Sequence, residues 1–286
     1  MNTRTFLIAA LCAVLLSVLS PPAAGESWLP TVDNDSRYPP GLPAAQRAKV
    51  LASLDALLPA VRAALDTQGV RFQAQRSFAD EPQLPQGPWP LNLEVGGYEQ
   101  QADGTFEGEY ATSITFFVND LGPLLHIALD EPRIWLLKED ARKRDGHTIP
   151  FGHFGLLSKG GVVPFKAVSK EEFARRVTAW ATRRKDAKTL AQINADLAAL
   201  TPAQRAEPMR LPPAFSLETS RPWPGLNGGG RPVVDIDPAY FDPTKRDVPQ
   251  VLLLMGSVTR NHERATRRLQ QFWKTLDYEG MRALLR

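Results

Sequence analysis

The sequence predicts an α+β fold, with a mainly antiparallel or mixed sheet, flanking helices and a basic amphipathic helix at the C-terminus. Three observations carry that expectation. Segments with apolar residues at three- and four-residue steps come in blocks, separated by groups of short runs rich in β-branched and aromatic residues. Two such runs, Leu91–Gln101 and Thr105–Asn119, meet at Asp103-Gly104, a hairpin signal because glycine takes the positive φ of a tight turn. The connection from Val168 to Val233 is helical and could be a crossover, which leaves a mixed sheet open.

Taken in order, residues 26–43 are rich in Pro, Ser and Asp and predict an extended arm. Ala44–Asp66 is helical by period, with Pro59 breaking or kinking it because proline lacks the amide donor. Ser77–Pro90 is a proline-rich loop, followed by the hairpin and by strands at Leu124–Leu129, Arg133–Lys138 and Val162–Val168. Ser169 and Glu172 have capping-box spacing before a helix that buries Phe173, Val177 and Trp180. Leu190 to Leu200 continues helically, and Thr201-Pro202 opens a further short turn with proline where its missing donor is harmless. After a Pro/Gly-rich connection, Val233–Ile236 and Val248–Met255 predict strands, and Thr259–Leu276 a basic helix. Residues 26–286 form a single compact domain in this reading.

The first 25 residues have the parts of a cleavable signal peptide: Arg4, an apolar run from Phe6 to Leu19, then Pro21-Pro22-Ala23-Ala24-Gly25. The run is shorter than the roughly 20 residues that span a bilayer as a helix. No later segment is apolar for long enough either. The expected location is therefore periplasmic or secreted. Cys12, the only cysteine, would leave with the signal, so the mature chain would have no disulfide, thiolate metal site or cysteine nucleophile.

The net charge of +3 hides an uneven distribution. From Ser77 to Glu131 there are ten acids and no Lys or Arg, whereas Lys170–Lys188 and Thr259–Arg286 each hold seven bases against three acids. Either the two kinds of segment neutralise each other inside the fold, or the acidic one meets a cationic partner, or the basic helices meet an anionic surface such as lipid headgroups. Nucleic acid is not an expected partner, because no recognition motif or basic–aromatic stripe is present.

Chemistry-bearing residues are few. Asp145, His147 and His153 fall in one Gly-bounded loop and could support general-base work, but their spacing matches no standard metal-ligand pattern. Ser257 follows an apolar strand, yet Thr259 stands where a nucleophile elbow has its closing glycine. Ser257, Thr259 and Arg260 instead suggest an anion site at the positive end of the last helix. Asp235, Asp237 and Asp242 lack the glycine and closing Glu of a calcium loop. No metal and no cofactor is expected. The best-supported class is a non-catalytic periplasmic binding or envelope-associated protein, the alternative being a periplasmic hydrolase using the His147/His153 loop.

Overall fold

The structure, a computed structural model, describes residues 27–34, 42–79, 87–129, 133–137, 142–144, 147–149, 154–213, 215–216, 223–259 and 262–286. The expected signal peptide lies outside them. Thirteen strands are described: β1 (Val32–Asp33), β2 (Val70–Phe78), β3 (Leu91–Glu99), β4 (Thr112–Val118), β5 (Leu125–Leu129), β6 (Ile134–Leu137), β7 (Arg142–Arg144), β8 (His147–Ile149), β9 (Phe154–Ser158), β10 (Phe165–Ala167), β11 (Arg210–Leu211), β12 (Arg231–Ile236) and β13 (Val251–Val258). The helices are α1 (Ala44–Ala52), α2 (Leu58–Ala64), α3 (Lys170–Arg183), α4 (Ala187–Ala198), α5 (Pro202–Ala206), α6 (Glu263–Thr275) and α7 (Tyr278–Ala283), with short 3-10 turns between some elements.

Two sheets form. The larger has the order β1-β2-β3-β4-β13-β9-β8-β7, and the smaller β10-β12-β6-β5, with β11 also pairing with β12. Every pairing is antiparallel except β1 with β2. The α+β expectation with a mainly antiparallel sheet therefore holds.

Strand alternation sorts the side chains into three cores. One face of the larger sheet sends Phe72, Leu93, Phe116 and Leu254 against Val50, Leu54 and Val61 of the N-terminal helices and Leu269 and Phe272 of α6. Its other face contributes Leu156, Val251 and Leu253 to a core shared with Leu125, Val234 and Ile236 of the smaller sheet. The far face of the smaller sheet packs Ile134, Leu136 and Val233 on Phe173, Val177, Trp180 and Ile193. The layers thus run helices, sheet, sheet, helices. Gly256 lets α6 sit close on β13, since a Cβ there would stand 2.6 Å from the Leu269 side chain.

Several elements differ from expectation in instructive ways. The predicted helix over 44–66 breaks into a helix, a 3-10 turn at Ser53–Leu57 and a second helix with Pro59 in its first turn, where proline is tolerated. The chain does reverse at Asp103-Gly104, with Gly104 at φ +84 and the Thr105 amide donating to Asp103 Oδ1. The Gln101 amide donates to the Thr105 carbonyl and Gln100 bridges Phe106, so the loop holds three residues; residues 107–111 then bulge before β4, with the Glu107 and Ala111 amides still donating to the Glu99 and Gly97 carbonyls. Ser169 accepts from the Glu172 amide as expected, but the Glu172 carboxylate turns to Arg175 and Arg176. The reciprocal capping box is made by Thr201 and Gln204 instead. The arm is not wholly extended away, because β1 pairs with β2 and Trp28 bridges to Phe72.

Candidate functional site

The last long helix has two stripes. Ala265, Leu269 and Phe272 face the core, and Leu276 just beyond the helix joins them. Arg264, Arg267, Arg268 and Gln271, at steps of three and four, form a second stripe beside them. That polar stripe lines a cleft of about 690 Å³ whose opposite wall is the turn between α2 and β2, with Asp66, Gln68 and Gly69, and the residue after β3, Gln100. Among the described residues, this lining holds three guanidinium groups, one carboxylate and no aromatic side chain.

The wall is fixed by one arginine. Arg268 is 7% exposed, and its Nε donates to the Asp66 carbonyl (2.9 Å), its Nη2 to the Gln68 carbonyl (3.1 Å) and its Nη1 to Glu99 Oε1. Glu99, 3% exposed, is the last residue of β3 and points to the helix-covered face, where Leu91, Leu93 and Val95 point by the same alternation. A carboxylate there is tolerable only because a hydrogen-bonded cation meets it. The turn opposite is closed by the Gln68 amide on Asp66 Oδ1 (3.0 Å) and the Gln100 amide on the Gly69 carbonyl (2.9 Å), with Gly69 at φ +67. Gln100 Nε2 donates to the Gly104 carbonyl (3.1 Å), tying the hairpin loop to the same rim.

The remaining two arginines are differently held. Arg267 Nη1 reaches Glu263 one turn earlier at 2.7 Å, both groups being largely exposed, so screening leaves that pair weak. Arg264 has no ion-pair partner among the described residues and is exposed. One locked guanidinium, one in a weak exposed pair and one exposed, with amide side chains around them, present N–H donors of the kind that suit an anion.

The acidic segment and the basic helices do meet, but selectively. Glu99 pairs with Arg268, and Glu107 lies 3.1 Å from His262 Nε2 at the start of α6. Glu94 accepts from Ser113 Oγ (2.8 Å) rather than from a base. The basic helix α3 is answered from elsewhere: Arg176 by Asp235 of β12 and by Glu172, and Lys170 by Glu207 and Asn227. Asp235 first, then Glu172, raise the Arg176 pKa further above its ordinary value.

Of the residues singled out from sequence, Ser257 is an exposed residue of β13 and Thr259 follows that strand. The Thr259 hydroxyl donates to the Tyr110 carbonyl (2.7 Å) and its amide to Ala111 (3.0 Å). The helix begins at Glu263, four residues later than predicted, so neither Ser257 nor Thr259 caps it; Thr259 is drawn to the hairpin loop instead. Arg260, Asp145 and His153 lie outside the described residues, and His147 is described only as backbone of β8, paired with Arg144. Among the described residues no group of three or more His, Cys, Asp or Glu is placed to hold a metal ion, and no helix is long and apolar enough to cross a membrane. The cleft itself was not predicted, although its signal, the 264/267/268/271 spacing, stands in the sequence. Comparison with protein-family models, with curated proteins and with solved structures finds no match.

Proposed function

We propose that this chain is an exported, non-catalytic binding protein that holds a small anionic ligand in the cleft between α6 and the β2–β3 end of the larger sheet. The observation that carries the reading is the stripe of Arg264, Arg267 and Arg268 facing a recess of about 690 Å³, a size within the usual range of ligand sites. The lock on Arg268 supports it further, because a preorganised wall reduces what the protein must order on binding. Export rests on the charged, apolar and small-residue succession of the first 25 residues.

Fluorescence anisotropy with pyranine, a trisulfonated dye, tests the binding reading. The chain lacking residues 1–25 is expected to bind the dye saturably and less tightly as salt rises. The Arg264→Ala/Gln271→Ala variant, altered only at exposed positions, is expected to lose most of that affinity at unchanged melting temperature. No saturable binding by the wild type, or equal binding by the variant, overturns the reading.

A further inference from the structure

We infer that the ligand of this cleft is an acidic saccharide of about two sugar units, an inference that rests on the binding reading above. The lining divides by chemistry. Arg264 and Arg267 present planar forks that suit a carboxylate, and among the described residues only the weak Glu263 contact competes for them. Arg268 fixes the wall between them, held by the carbonyls of Asp66 and Gln68 and with its charge met by Glu99.

Around these charges stand three amides, Gln68, Gln100 and Gln271, and the carboxylate of Asp66. Each amide offers a donor and an acceptor, which is what a hydroxyl needs, because a hydroxyl both donates and accepts. A carboxylate in the lining would repel a ligand that is anionic at every position. It accepts readily from hydroxyls, so Asp66 fits a ligand that carries hydroxyls alongside its carboxylates. A bare phosphate would leave most of the 690 Å³ and the side-chain amides of Gln68 and Gln271 without a role. A nucleotide would find no aromatic face for its base among the described residues of this lining.

The test displaces pyranine from the chain lacking residues 1–25 with four competitors: digalacturonate, the uncharged disaccharide lactose, citrate and inorganic phosphate. Digalacturonate is expected to displace the dye at least tenfold better than each of the others. Gln271→Leu should weaken digalacturonate by fivefold or more with citrate almost unchanged, and Arg264→Gln should weaken both anions. Displacement by citrate or phosphate as effective as by digalacturonate overturns the saccharide assignment and leaves the anion site standing. An equal loss of citrate and digalacturonate in Gln271→Leu also overturns it. If the wild type binds no pyranine, the underlying binding reading is the one that fails, and direct calorimetry with digalacturonate then decides the saccharide site: no heat of binding ends it.

Discussion

Replacing Arg268 by methionine should be among the most damaging single changes in the chain. The guanidinium makes three hydrogen bonds that close the α2–β2 turn and the end of β3, and it is the partner of Glu99, whose side chain is 4% exposed. Methionine keeps most of the apolar stem and removes every donor, so Glu99 is left buried without its cation. Breaking a buried pair from one side costs about 3–5 kcal/mol. With about 2–4 °C per kcal/mol for a chain of this size, the melting temperature should fall by roughly 10 °C. The double variant Arg268→Met/Glu99→Leu removes the stranded charge and should recover most of the loss, because an apolar pair in place of a buried ion pair is often neutral. Thermal and urea denaturation of the four proteins of this cycle measure the coupling. A single variant within about 1 kcal/mol of wild type, or a double variant no more stable than the single one, would refute the reasoning.

Three further outcomes follow from particular contacts, and one from the amino terminus. Gly256→Ala drives a methyl into Leu269 and should cost about 1–3 kcal/mol in urea unfolding, with dye binding weakened as α6 shifts. Hydrogen bonds from Arg175, then from Arg176, hold the Glu172 carboxyl down from 4.5 to about 2. Its folded pKa is depressed, so its contribution is full above pH 4.5 and lost as pH falls towards 2. The stability gap between wild type and Glu172→Gln should therefore close over that interval, and a gap that widens on acidification would contradict the assignment. His147→Ala and His153→Ala should leave pyranine affinity unchanged if binding belongs to the cleft, whose described lining comes from α6, the α2–β2 turn and Gln100; abolition of binding by either would relocate the site. Amino-terminal sequencing of exported material should begin at Glu26, or at Gly25, and such protein should melt identically with and without reductant.

What could be read from the sequence alone was whatever depends on neighbours along the chain. The period of Val50, Leu54 and Val61, the break at Pro59, the turn at Asp103-Gly104 and the capping residue Ser169 are all local, and the structure keeps each of them. The α+β class followed from the order of such segments. Pairings across long sequence gaps were not legible. β2, an unmarked stretch of alternating residues from Val70 to Phe78, becomes the partner of β3, and β13 inserts between β4 and β9 although 132 positions separate Val251 from its neighbour Asn119. The cleft is decided at that level too. Helical spacing alone puts Arg264, Arg267, Arg268 and Gln271 on one stripe, but only the tertiary structure sets that stripe beside the turn at Gln68 and buries Glu99 behind it. Charge counting could show an acidic segment and a basic helix; it could not say that Glu99 and Arg268 would be joined while Glu94 found Ser113, because alternation sends Glu99 to the helix-covered face and Glu94 to the other.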